Sequence, residues 1–483
     1  MKITNEEFSK IIYKSQCYPL WFFDKILGAK PWSLQKDIIL SVKDNPDTSV
    51  KGCHSPGKSW VAARLALWFL FSHPKSLVIT TAPTDRQVKG ILWKEIGVAH
   101  SESKYPLGGK LITKELKLAP DWFAIGFTAP DYDPNRFQGF HAPHVLVVCD
   151  ESSGISTEIS EAIDGVLSGP HCRRLDIGNP TDPLGAFAQS FKNVDVHKIT
   201  ISAYDTPNLI DNGITEADII SGKWESKFTE LTNKNIVTPQ WVAKIYKKYG
   251  KEHPYYISRV LAQFPKDSKN TLIRLAWIED AQNRTLQPGQ PVEIGADIAG
   301  DGSNSNVIGI RHGSVYRKLD KFVKLGRMET AKKIAQFIKS EKASKAKVDG
   351  VGIGDGIISK INELKQPVIS MLSGAKPLNR GEDETIKILF GNIKAQWYWE
   401  LRERFETGDI DIDPDDEDLA AQLAGIKYWT DGKDKLWIVS KKDTKTDSPD
   451  DADCMNFTFG VTFNETIDVI PVGMGKTSGF RGL

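Results

Sequence analysis

The chain has 483 residues, 63 Lys+Arg against 62 Asp+Glu, 40% hydrophobic and 26% charged residues. That balance excludes wholesale disorder, and no apolar run reaches the ~18 residues of a membrane span. A net charge of +1 excludes any inference of nucleic-acid binding from global charge, so such binding has to come from local patches.

At roughly 100–200 residues per domain, the length predicts two or three domains. Residues Met1–Lys10 lack the apolar core of a signal peptide. The five cysteines are scattered without a CxxC spacing, which argues against a zinc site or a disulfide framework and for a reducing compartment.

The first 225 residues or so alternate short β-rich runs with helical patterns. Ser76–Thr81, Val145–Cys149 and Arg174–Ile177 are apolar runs closed by polar residues, as buried parallel strands read. Pro31-Trp-Ser-Leu-Gln35 precedes Gly52-Cys-His-Ser-Pro-Gly57-Lys58-Ser59, a complete G-x-x-x-x-G-K-[ST] loop. In such a loop the glycines let backbone N–H groups wrap phosphates, Lys58 reaches the β/γ oxygens and Ser59 holds Mg²⁺. The helix after it aims its dipole at the anion. Pro56 removes one donor from the loop.

Thr81-Ala-Pro-Thr84 follows the second strand, and Val145–Cys149 ends in Asp150 and Glu151. Asp150 is expected to hold Mg²⁺ through water, and Glu151 to orient or deprotonate the attacking water. Gln35 is placed to read an adenine edge, Asn179 to sense the γ-phosphate, and Arg136 to supply positive charge to the transition state.

Residues 226–288 read as a helical connecting subdomain, typified by Gln240–Tyr249. From residue 289 a second β-rich pattern starts with Val292–Asp297, continues with a helix near Glu329–Lys342 and a β-run at Lys347–Val351. Its acids sit at the ends of β-runs: Asp297, then Asp301, then Asp349, with Asp355 in the glycine-rich stretch that follows. Asp450, Asp451 and Asp453 come last. With Ser448 or Asp450 as a helix cap, Asp450 and Asp453 share one face. Three converging carboxylates need cations. Oxygen ligands suit Mg²⁺ or Mn²⁺, and two such ions support phosphodiester cleavage. The run Asp409–Asp418, with seven acids in ten residues, reads as an exposed loop. Gly473–Leu483 reads as a tail.

Taken together, these segments resemble the large terminase subunit of tailed phages, a DNA-packaging ATPase and nuclease. The phosphate loop, Thr81–Thr84, Asp150-Glu151 and Gly178-Asn179-Pro180 are similar to its ATPase. Ile201–Asn208 and Val260–Pro265 resemble segments that close the ATPase domain and form its linker. Gly295-Ala-Asp297, Val348-Asp349-Gly350 and Ser440-Lys441-Lys442 with Ser448–Asp453 resemble its ribonuclease-H-like nuclease motifs.

The resemblance implies an α/β chain with a P-loop (RecA/ASCE-like) ATPase domain (1–225), a connecting subdomain (226–288), a ribonuclease-H-like nuclease (289–472) and a tail (473–483). It implies ATP with Mg²⁺ at Lys58, Ser59, Asp150 and Glu151. It implies two Mg²⁺ or Mn²⁺ at Asp297, Asp349 and Asp453, with Asp450 or Asp451 accessory and Asp355 a possible substitute. Many members carry an arginine inside the phosphate loop where this chain has His54, which leaves the arginine finger between Arg136, Arg64 and one supplied in trans.

Implied partners are double-stranded DNA, a small terminase subunit and a portal protein. The implied assembly is a homo-oligomeric ring on the procapsid in the host cytoplasm, with no membrane, and a monomer in isolation. Lys321–Arg327, Lys332-Lys333 and Ser440–Lys445 are the expected DNA patches. A repair helicase-nuclease and an ATP-dependent structural protein with a dead nuclease are the competing readings.

Overall fold

The computed structural model describes the chain except residues 1–4, 129–133, 138, 266–269, 299–304, 324, 351–353, 379–388, 433–434, 440–447 and 463–483. Asp301, Lys441, Lys442 and the expected tail therefore lie outside the described residues.

The N-terminal half is built on eight strands: β1 (Asp47–Gly52), β2 (Leu77–Thr81), β3 (Lys110–Ile112), β4 (Glu115–Ala119), β5 (Trp122–Gly126), β6 (Val145–Cys149), β7 (Cys172–Gly178) and β8 (His197–Ile201). Their order is β3-β4-β5-β2-β6-β7-β1-β8. The six strands from β5 to β8 run parallel, while β3 and β4 form an antiparallel extension. Every residue of β2 and β6 is buried, as expected of strands covered on both faces.

The order β2-β6-β7-β1-β8 is that of an ASCE-type P-loop fold, with β7 inserted between the phosphate-loop strand and the acid-bearing strand. The helix Lys58–Ser72 is buried on nearly all sides. This explains why its sequence is apolar all round rather than amphipathic.

The C-terminal half holds β9 (Val292–Asp297), β10 (Asn306–His312), β11 (Val315–Phe322), β12 (Lys345–Asp349) and β13 (Val368–Met371). They are ordered β11-β10-β9-β12-β13. The first three are antiparallel, and β9, β12 and β13 are parallel. This 3-2-1-4-5 mixed order is the ribonuclease-H-like arrangement. A small sheet of β14 (Leu389–Phe390), β15 (Tyr428–Thr430) and β16 (Lys435–Ile438) stands apart.

Between the two large sheets lies one apolar core. It joins Val242 and Ile245 of the helix Pro239–Tyr249 and Ile278 of the helix Leu275–Asn283 to Leu401, Leu419 and Met455 of C-terminal helices.

The acidic run Asp409–Asp418 is not the exposed loop its charge suggested. Ile410 and Ile412 are fully buried and Asp411 is 2% exposed. The Asp-Ile-Asp-Ile alternation sends the isoleucines into the core, while Asp411 accepts from the Leu286 amide at 2.9 Å and bridges to Val315. Asp416 caps the helix Glu417–Gly425 by accepting from Leu419 N–H. The cap of the helix Asp450–Phe459 also differs from expectation. Pro449 occupies it without a side-chain bond, so neither Ser448 nor Asp450 caps. Two expected DNA-patch lysines are engaged internally: Lys321 with Asp451 at 2.6 Å, and Lys333 with Asp320.

Candidate active sites

The first site forms where β1, β6 and β7 end. Gly57 has φ +89° and a β-carbon there would press on Gln35 Nε2, so only glycine suits the turn into the helix. Gln35 donates to Gly57 O at 3.3 Å and accepts from Trp32 N–H at 3.3 Å. Its amide thus braces the phosphate loop.

Three distant segments hold the same loop. Cys53 N–H donates to Ile201 O and His54 N–H to Arg259 O, both at 2.7 Å, and Ser55 O accepts from Val237 N–H at 3.0 Å. Lys58 Nζ donates to Cys53 O at 3.1 Å. The N–H groups of Lys58 and Ser59 remain at the helix start, where an intrahelical partner is lacking and anions bind. The His54 ring stacks on Trp241, with centroids 4.9 Å apart and planes 17° off parallel. Its Nε2 lies 3.6 Å from Glu417. Burial and the neighbouring Arg259 and Lys58 hold His54 below the usual histidine range, in its neutral form.

Ser59 Oγ donates to Asp150 Oδ2 at 3.0 Å. Asp150 is 1% exposed. Burial first, then the charge of Glu151, push its carboxyl up to about 7. A buried carboxylate raised in this way is a group that gains from a cation. Ser59 and Asp150 therefore fit Mg²⁺. Glu151 sits at φ 50°, ψ 48°, a left-handed backbone that costs a non-glycine residue about 1–2 kcal/mol. A β-carbon on Gly178 would come within 3.0 Å of Ser152 N. The glycine lets the end of β7 approach the acid-bearing loop.

Asn179 follows Gly178. Its Nδ2 donates to Gly52 O at 2.7 Å and its Oδ1 accepts from Arg259 Nη1 at 3.0 Å. Arg259 also pairs with Glu279, whose second oxygen accepts from Thr181 Oγ1 at 2.5 Å.

Of the arginines expected near this site, Arg64 is spent on Glu95 at 3.3 Å and lies over the Trp60 ring. Arg136 is exposed and donates to Thr128 O at 3.2 Å. Arg259, by contrast, contacts the loop directly, its carbonyl accepting from His54 N–H. Sequence reasoning missed Arg259 because 80 residues separate it from Asn179.

The second site forms at the ends of β9 and β12, neighbouring parallel strands in register at Ala296 and Val348. Asp297 and Asp349 end them. Helix Asp450–Phe459 brings Asp453, and it reaches β9 because residue 295 has no side chain. A β-carbon there would overlap Thr458 Oγ1 and stand 2.7 Å from Cys454 O and 2.8 Å from Thr458 N. Cys454 Sγ donates to Gly295 O at 3.3 Å.

The ammonium of Lys394, on the helix Ile393–Thr407, lies 2.7 Å from Asp453. It is held above the usual lysine range, against burial, by Asp453, Asp297 and Asp349. Its charge is thus felt by all three carboxylates, and a divalent cation would meet the same field, but among the described residues no three acidic, histidine or cysteine side chains are gathered as a metal site. Tyr398 Oη also donates to Asp453, at 2.8 Å.

Asp450 accepts from Ser305 N–H at 3.2 Å. Asp451 points elsewhere. It pairs with Lys318 and Lys321 at 2.7 and 2.6 Å and accepts from Gln422 Nε2. Asp355 lies in the first turn of the helix Gly354–Glu363. Lys394 carried no signal in the sequence, since no motif surrounds it.

No family model matches the chain. It is 26% identical over 398 residues, 77% of either chain, to a probable terminase large subunit of Enterobacteria phage P7. Among solved structures, the large terminase of the thermophilic bacteriophage D6E with ADP matches 89% of this chain and 98% of its own, at 11% identity and TM-score 0.40. The nuclease domain of the large terminase subunit gp2 of bacterial virus Sf6 matches 40% of this chain and 99% of its own, at 20% identity and TM-score 0.37. Those superpositions are loose, so the sequence relative carries the comparison. Over most of its length, the chain resembles the large terminase subunits of tailed phages.

Proposed function

We propose that the chain is a phage large terminase subunit. ATP hydrolysis at the first site drives double-stranded DNA into a procapsid, and the second site cuts concatemeric DNA. The observation that carries this reading is the presence of two chemically distinct constellations in one chain. A complete phosphate loop faces Asp150-Glu151, and a carboxylate trio sits at the ends of β9 and β12 and on helix Asp450–Phe459.

Lys58 and the first-turn amides take the phosphates, Ser59 and Asp150 take Mg²⁺, and Glu151 orients the attacking water. In the nuclease, Asp297, Asp349 and Asp453 hold the ions, with Asp450 accessory. The two Mg²⁺ or Mn²⁺ ions, when bound, activate water and stabilise the leaving oxygen. Asp451 belongs to the scaffold. The division into 1–225, 226–288 and 289–472 follows this assignment, and a small subunit, a portal and a ring of identical chains complete the motor.

A repair helicase would need a second P-loop-type domain. The mixed β11-β10-β9-β12-β13 sheet disfavours it. The test is a pair of variants in the full chain. Lys58→Ala is expected to abolish ATP turnover and leave metal-dependent plasmid cutting. Asp297→Ala is expected to do the reverse. Retained cutting by Asp297→Ala would sink the nuclease assignment, and would favour neither ion site nor cutting role for the trio.

A further inference from the structure

We infer that Arg259 is a positioning arginine of the ATPase site, supplied in cis by the connecting segment, which reads the γ-phosphate through Asn179. The inference rests on the ATPase reading above.

Arg259 touches the site twice. Its carbonyl accepts the N–H of His54, inside the phosphate loop, at 2.7 Å. Its guanidinium donates to Asn179 Oδ1 at 3.0 Å, and Asn179 in turn donates to Gly52 O at 2.7 Å. Asn179 is thereby locked between the loop and the arginine: its Nδ2 serves the loop, so its Oδ1 faces the guanidinium. On the other side Arg259 is clamped by Glu279, and Glu279 by Thr181, two residues beyond Asn179. The guanidinium closes a ring through Asn179, Thr181 and Glu279.

The charge balance points the same way. The side chain is 17% exposed, its Nε is buried without a partner, and the negative charge of Glu151 acts on both Arg259 and Glu279. Five donors in a fixed fork suit recognition of an anion, and Glu279 supplies only two acceptor atoms. An anion gained at the phosphate loop is therefore felt by a guanidinium whose Nη1 is held on Asn179 and whose Nη2 is held on Glu279, so the response passes through Asn179. Arg64 and Arg136, by contrast, are engaged away from the loop. Because Arg259 ends the helix Pro254–Arg259, any shift of its head with nucleotide state moves the connecting segment. The same residue would thus tune hydrolysis and transmit it.

An arginine that contacts the transferring phosphoryl directly is worth roughly 10³–10⁵ in rate. One acting through an asparagine is expected to be worth less, about 10- to 100-fold. The test compares the full-length chain with Arg259→Gln and Arg259→Lys. The readouts are kcat and KM for ATP, and the affinities of fluorescent ADP and ATPγS. Arg259→Gln is expected to lower kcat at least tenfold, to keep ADP affinity within about twofold, and to erase the preference for ATPγS over ADP. Arg259→Lys is expected to recover part of that preference. Unchanged kcat and unchanged preference in Arg259→Gln would overturn the inference while leaving the ATPase reading intact. Parallel loss of ADP affinity and thermal stability would also overturn it, marking Arg259 as a structural strut only. An unaltered chain that binds no nucleotide at all would overturn the ATPase reading, and this one with it.

Discussion

Replacing Gly295 by alanine tests how the proposed nuclease site is assembled. The added carbon overlaps Thr458 Oγ1 and stands 2.7 Å from the Cys454 carbonyl and 2.8 Å from the Thr458 amide. Rotation of Thr458 relieves the first contact. The other two are backbone atoms of a buried helix, so helix and strand have to part. Overpacking of this kind costs about 1–3 kcal/mol. In a domain of 150–250 residues, each kcal/mol lowers Tm by about 2–4 °C, so a fall of roughly 2–12 °C is expected. The same displacement moves Asp453 from its companions, and metal-dependent cutting is expected to drop more than tenfold. Gly356→Ala is the control. A carbon there meets nothing within 4 Å on a helix, and is expected to be neutral or stabilising by up to ~1 kcal/mol. Calorimetry and plasmid cutting on both variants decide the matter. A Gly295→Ala protein with unaltered Tm and cutting would refute the argument that this contact places Asp453.

Four further outcomes are expected. Asp150 is raised to about 7, so the folded state binds its proton more tightly than the unfolded chain does. In the absence of metal its contribution to stability falls as pH rises from about 4 to 7, and Asp150→Asn should abolish that slope in urea titrations. Mg²⁺-nucleotide affinity should weaken as pH drops below 7, because proton and metal compete for one carboxylate. Lys394→Met removes the cation beside Asp453 and is expected to lower the Mn²⁺ concentration needed for thermal stabilisation by about tenfold, or roughly 1.4 kcal/mol; a higher requirement would contradict the reading. Lys347 is fully buried and donates to Glu293 at 2.8 Å and Gly460 O at 2.7 Å. Lys347→Ala takes one cation from Glu293 and leaves it Arg311 and Lys345, and is expected to cost about 1–3 kcal/mol, measured by chemical unfolding.

Much of the frame was legible in sequence because its signals are local. A phosphate loop needs its glycines and lysine within eight residues, and apolar runs ending in acids mark strands β6 and β9. The antiparallel extension β3–β4 carried no such mark: its outer strand is exposed throughout and lacks the apolar alternation that betrays a half-buried strand. Arg259 and Lys394 were invisible for another reason. Each reaches its site across the fold, and a single basic residue has no neighbourhood signature. The acidic run 409–418 was misread because charge density outweighed two isoleucines at alternate positions. The expected partition of Asp450, Asp451 and Asp453 needed the helix itself, since adjacent residues on it face different ways.

The bonds that finish the phosphate loop have a consequence for biosynthesis. Cys53, His54 and Ser55 are tied to residues 201, 259 and 237. A polypeptide released only as far as residue 225 carries every atom of the loop motif and just one of these three tethers. The phosphate loop is therefore fully tethered late, when about 260 residues have left the ribosome, and a fragment cut at that boundary is expected to hold a slack loop.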